Sequence, residues 1–159
     1  MLTNGDVSMI FDPFLTGNTW DIEKKEDIKC QYIFVSHGHD DHYGDTEFIA
    51  KANDALVIST AEVAGKAAAA GCRTHAMHLG GKYDFEFGSV RIVPAFHGAG
   101  VPGGHAAGCI VNFFGDIVYF AGDTALFSDM KLLNRFGDID YALLPIGDNY
   151  TMGVEDAAL

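Results

Sequence analysis

The chain has 159 residues, 48% of them hydrophobic and 12% aromatic, with 19 glycines. This length suits one folded domain spanning 1–159, and the apolar share is that of globular material, which excludes a disordered chain. Glycine at that level without a repeat excludes collagen and an all-helical bundle. With 22 acidic against 10 basic side chains the formal net charge is −12, which argues against a nucleic-acid or anionic-membrane partner.

No apolar run approaches the ~18–20 residues that a membrane span needs. The N-terminal stretch lacks a basic segment followed by an apolar one, so a cytoplasmic location is expected. Cys30, Cys72 and Cys109 lie far apart and are odd in number. They read as free thiols in a reducing compartment, not as a disulfide framework or a zinc knuckle.

In chain order, Val7–Asp12 is a strand that stops at Asp12-Pro13, and the charged stretch Asp21–Lys29 reads as a short exposed helix. Tyr32–Ser36 is an apolar, aromatic and β-branched run, the signature of a buried strand. A helix over Asp45–Asn53 and a buried strand over Leu56–Ser59 follow. Ser59-x-x-Glu62 then reads as a capping box opening an alanine-rich helix that ends at Gly71. Four strands come next, at Lys82–Phe87, Val90–Phe96, Gly108–Phe114 and Ile117–Ala121. Phe87-Gly88-Ser89 and Gly115-Asp116 read as their turns. A helix around Leu126–Phe136 and a buried strand at Tyr141–Ile146 complete a mixed α/β pattern with helices covering sheet faces.

Three of the seven histidines fall within six residues, in the run His37-Gly38-His39-Asp40-Asp41-His42. In an extended chain His37 and His39 point the same way and can reach one ion. The turn that follows carries the carboxylate of Asp41 and the imidazole of His42 onward, within reach of a second ion ~3.5–4 Å away. Imidazole and carboxylate together suit Zn²⁺, with Mn²⁺ or Fe²⁺ also possible. His97 follows the strand ending at Phe96, and Asp123 follows the one ending at Ala121. Each alone would more often be a surface or capping residue. Beside the histidine run they read as ligands, with Asp123 able to bridge two ions.

These residues resemble the metallo-β-lactamase superfamily, and within it the metal-dependent hydrolase branch related to ascorbate-6-phosphate lactonase. The resemblance rests on Phe11-Asp12-Pro13-Phe14, His37–His42, Pro94–Gly98, Ala121–Thr124 and Pro145–Ala157, in the family's order and across nearly the whole chain. It implies an αββα sandwich with metals at the sheet edges. It also implies that His37, His39 and His97 hold one ion, that Asp41 and His42 hold the other, and that Asp123 bridges. Asp12 would orient a ligand, since a ligating imidazole usually donates its other N–H to an acceptor.

Two departures stand out. Nothing before Val7 matches the family's opening strand and Gly-His-Ser-like turn, and no histidine follows Pro145–Ala157 where the family has a further ligand. The chain thus resembles a superfamily domain trimmed at both ends, and exposed sheet edges would invite pairing with another copy. His75, His78 and His105 read as surface residues.

The chemistry implied is attack of a metal-bound hydroxide on an ester-like bond, in a lactone or small phosphoester, with Asp41 orienting the hydroxide. No Gly-x-Ser-x-Gly or P-loop competes for the role. The rival reading is a catalytically inactive metal-binding domain lacking the last ligand histidine. The loops Gly98–Gly104 and Asp148–Gly153 are expected to border a pocket for a small molecule. Tyr150 or Thr151 would touch substrate, unless Thr151 caps the helix near Val154.

Overall fold

The computed structural model describes residues 1–20 and 23–159. Two five-stranded sheets face each other. The first contains β1 (Leu2–Asn4), β2 (Val7–Phe11), β3 (Tyr32–Phe34), β4 (Leu56–Thr60) and β5 (Arg73–Met77), in that spatial order. From β2 to β5 the strands run parallel, each joined to the next by a crossover. Parallel sheets of this kind are covered on both faces, which is why the β3 region is apolar without alternation.

Its inner face sends Met9, Phe34 and Ile58 against the second sheet, and its outer face sends Ile33, Val35 and Val57 against helices. Those helices are α2 (Thr46–Asn53), through Ile49, and α3 (Ala61–Ala69), through Val63 and Ala67. A single helical turn, α1 (Asp40–Tyr43), precedes them. Full burial of a side chain such as Phe34 contributes roughly 1.5–3 kcal/mol.

The second sheet comprises β6 (Lys82–Phe85), β7 (Gly88–Pro94), β8 (Ala107–Phe113), β9 (Asp116–Phe120) and β10 (Tyr141–Leu143). It is antiparallel except for β10, which lies parallel to β9. Val90, Ile92, Cys109 and Val111 face inward, while Val93, Ile110 and Tyr119 face outward and pack on Leu133. The order helix, sheet, sheet, helical segment is the αββα sandwich that the sequence implies.

Several details depart from expectation. A strand does precede Val7: Gly5, in the left-handed region, turns β1 back so that Leu2 faces Met9. Of the expected Asp21–Lys29 helix only one 3-10 turn forms, at Lys25–Asp27, and residues 21–22 lie outside those described. The capping box does not form. Thr60 stands at the N-cap of α3, and the Ser59 hydroxyl instead donates to Val35 O across the sheet at 2.6 Å. Sequence reasoning also missed β5, whose polar edge sequence RTHAM lacks a strand's apolar alternation.

Residues Ser128–Phe136 form 3-10 turns. The strand expected at Tyr141–Ile146 is only three residues long and exposed, because it forms the sheet edge and no described element covers it. Near the chain's last helix, α4 (Val154–Ala157), Gly153 is the N-cap and Thr151 does not cap; its hydroxyl donates to Met152 O.

Candidate metal centre

The parallel strands β2 and β3 and the mutually parallel strands β7 and β9 deliver their following loops to one edge of the sandwich. Phe11 and Phe120, at the ends of β2 and β9, meet there with ring centroids 5.0 Å apart. Asp12 follows β2, His37 follows β3, His97 follows β7 and Asp123 follows β9. The sheets therefore gather residues far apart in sequence. Gly38 N–H donates to Ala99 O at 2.8 Å, tying the histidine run to the loop after His97. This close approach explains Gly100, which has φ +66 and at which a Cβ would collide with the backbone of Gly38 and His39.

His37 is fully buried. Its Nε2 lies 3.0 Å from His39 Nδ1, and its Nδ1 lies 2.8 Å from the Ser36 hydroxyl. Donor atoms of His37, His39 and His97 all lie within 4.8 Å of one another. Ligand nitrogens ~2.0–2.1 Å from one tetrahedral zinc stand about 3.3 Å apart, so this trio fits a shared ion. Burial, reinforced by the neighbouring His42, His39 and His97 and opposed by Asp123, lowers the His37 pKa to about 3. At neutral pH its imidazole thus keeps the lone pair that a metal ligand needs.

His42 is carried inward by α1, where its N–H donates to His39 O. Its Nδ1 lies 2.7 Å from Asp12 Oδ2, and its Nε2 lies 3.3 Å from Asp123 Oδ2. Burial would lower its pKa, but bonding to Asp12 and Asp123 outweighs this and holds it at about 10. Asp123 Oδ2 also lies 3.6 Å from His97 Nε2, so one carboxylate stands between the two imidazoles. Burial would raise the Asp123 pKa, yet His42, His37 and His97 together hold it below the usual carboxylate range.

Asp12 has φ +40, a strained conformation held in place by its contacts. Its Oδ1 accepts Ser36 N–H at 2.7 Å and its Oδ2 accepts the Ser36 hydroxyl at 2.5 Å. Burial pushes its carboxyl up, against the pull of His42 and Ser36. Asp12, His37 and His42 form a second compact group of potential donor atoms. The loop after Asp12 is fastened by Asp45, which accepts Leu15 N–H at 3.0 Å, Thr16 N–H at 2.7 Å and the Thr16 hydroxyl at 2.7 Å.

Asp41 stands apart. Its carboxylate is 66% exposed and 3.9 Å from His42 Nε2, outside both compact groups. His78 and His105 pair with each other at 5.4 Å, and His75 lies against Tyr83, away from the cluster. Sequence reasoning assigned no role to Ser36, which touches both Asp12 and His37. It also assigned none to Thr124, fully buried, whose hydroxyl accepts Phe96 N–H at 3.0 Å beside His97. A hydroxyl residue directly abutting a ligand residue was the available signal for each. Both loops expected at the pocket do approach the cluster: a Cβ on Gly98 would touch the His39 ring, and Met152 N–H donates to Thr124 O.

Residues 10–159 match the family model described as a β-lactamase superfamily domain. The chain belongs to this family. It is 52% identical over 158 residues to a UPF0173 metal-dependent hydrolase of Natranaerobius thermophilus, covering 99% of this chain and 71% of that protein. A relative of the same description from Symbiobacterium thermophilum is 53% identical over 161 residues, covering 99% and 72%. Among solved structures, Igni18, a metallo hydrolase of the archaeon Ignicoccus hospitalis, superposes with a TM-score of 0.85 at 29% identity. That match spans 98% of this chain and 70% of the archaeal one. The chain thus has the sandwich that its resemblance to the superfamily implies.

Proposed function

We propose that this chain is a metal-dependent hydrolase that cleaves an ester-like bond, in a lactone or small phosphoester, at a dinuclear centre. The observation that carries this reading is the convergence of four imidazoles and the Asp123 carboxylate where loops from both sheets meet. The names of the relatives support it. Those names extend to metal-dependent hydrolysis.

His37, His39 and His97 would hold one ion, Asp41 and His42 the other, with Asp123 between them. The nitrogen and oxygen donors suit Zn²⁺ first, then Mn²⁺ or Fe²⁺. Such ions lower the pKa of a water toward ~7 and polarise the bond under attack. With an ion bound in place of the second ring proton, His42 would keep Nδ1–H for Asp12 and offer Nε2 as its ligand atom. Asp41, exposed at the open rim, would orient the attacking water. Tyr150, on the loop that reaches Thr124, is exposed and free to meet a small-molecule substrate.

We place this activity in the cytoplasm, where Cys30, Cys72 and Cys109 would remain free thiols. Among the described residues no helix is long and apolar enough to cross a membrane.

The test is metal per chain by plasma mass spectrometry, on protein purified without added metal or chelator, followed by a panel of lactones and phosphoesters. About two ions, with hydrolysis abolished by joint His37→Ala and His39→Ala substitution, is the expected result. Hydrolysis that survives the double substitution would overturn the mechanism. A chain that takes up no metal even when it is offered would overturn the hydrolase reading and favour an inactive domain.

A further inference from the structure

Three of the chain's ten basic residues, Lys82, Arg91 and Arg135, line one cavity of about 380 Å³. It lies over β7 and β8 on the outer face of the second sheet, where Ile110 faces. Acidic residues outnumber basic ones 22 to 10 in this chain, yet none lines this cavity.

The arrangement costs stability and is relieved by an ion pair only at Lys82. Lys82 and Arg91 stand directly opposite each other on β6 and β7. Like charges in that position destabilise a sheet. Lys82 reaches Asp84 at 2.5 Å, but among the described residues neither Arg91 nor Arg135 has a carboxylate within ion-pair distance. Asp140, next to Ile117, accepts Ile117 N–H through Oδ2 at 2.8 Å and makes no ion pair with Arg91 or Arg135.

Arg91 is also held in place. Its Nη1 donates to Gly80 O at 3.0 Å, and its guanidinium lies 4.4 Å from the Phe136 ring centroid. A guanidinium has five N–H donors, so most of its fork remains available. Ser89 and Asn112, cross-strand partners, add neutral donors to the same wall. The Asn112 carboxamide oxygen is taken by Gly115 N–H at 3.0 Å, which leaves its NH₂ group to donate.

We infer that this cavity is a binding site for a phosphate group, free or carried on a small molecule, separate from the metal centre. The phosphate oxygens would be met by Arg91, Arg135 and Lys82, the geometry that guanidinium groups serve best. Ile110, Ile117 and Phe136 form an apolar wall for an organic portion. Arg91 and His97 are six residues apart along and beyond β7, roughly 20 Å at the rise of a strand, so one ligand does not span both sites.

The test is a ¹⁵N NMR titration of the intact protein with inorganic pyrophosphate and, separately, with glycerol 3-phosphate at constant ionic strength. Site-specific signals separate this cavity from phosphate bound at the metals. The expected result is saturable shifts at Ser89, Arg91 and Asn112, with affinity reduced about tenfold by Arg135→Gln, the loss of one charge-assisted contact. Arg135 is exposed, so that variant keeps the fold even if Arg91→Gln does not. Tighter binding of glycerol 3-phosphate would assign the apolar wall to an organic portion, and tighter pyrophosphate would assign the site to the free anion. No saturable shift at these residues with either probe, or shifts that Arg135→Gln leaves unchanged, would overturn the inference.

Discussion

The two sheets contribute to the centre in unequal ways. The first brings Asp12 and the run from Ser36 to His42 on loops after parallel strands buried on both faces, and these residues support one another. Ser36 holds Asp12, Asp12 holds His42, and Ser36 also contacts His37. The second sheet brings only His97 and Asp123, and its outer strand β10 is exposed, with Tyr141 at 61%. Depth behind a loop, more than the loop's own sequence, decides how firmly its side chains are held. The donor set of His37 is preformed for that reason, whereas Asp41, on the exposed side of α1, stands free at the rim.

This contrast breaks most visibly in the core beneath the first sheet's loops. Phe34→Ala should destabilise the protein by about 3–5 kcal/mol, the cost of a large cavity at a fully buried aromatic position, as read by urea unfolding. An unfolding midpoint within error of the parent would show that the first sheet is not the rigid half.

A smaller and more selective effect is expected at Asp12. Asp12→Ala should weaken metal binding by about 10–100-fold, because a ligating imidazole loses the acceptor that orients it. Metal titration by calorimetry checks this, and unchanged affinity would mean that His42 is placed by α1 alone. The smallest change is expected on the second sheet's edge. Leu143→Ala, at a half-exposed position, should alter stability by no more than about 0.5 kcal/mol in thermal melts. A loss comparable to that of Phe34→Ala would erase the difference between the sheets.

Much of the fold was legible because its cause is local. The apolar stretch at Tyr32–Ser36 and the glycine-marked turn at Gly115 carry strong local signals, and β3, β8 and β9 fall where periodicity places them. Elements whose cause is tertiary were not legible. β5 is a polar segment made into a strand by pairing with β4, and β1 is paired by β2 across Gly5-Asp6. Ser59 has a capping residue's chemistry, but buried between strands it finds Val35 O closer than the helix N-terminus, and the capping box fails.

The candidate site divides in the same way. Residue type and spacing alone marked His37, His39, Asp41 and His42 as potential ligands, since imidazole and carboxylate at those intervals have few other joint uses. They also singled out His97 and Asp123 as residues at strand ends. Only the tertiary structure decided that Asp123 stands between His42 and His97, that Ser36 and Thr124 support the cluster, and that Asp41 sits exposed at its rim. It alone brought Lys82, Arg91 and Arg135 together. The physical reason is range: donor chemistry and local spacing are properties of a few consecutive residues, whereas distance and burial across the sandwich arise only when the two sheets pack.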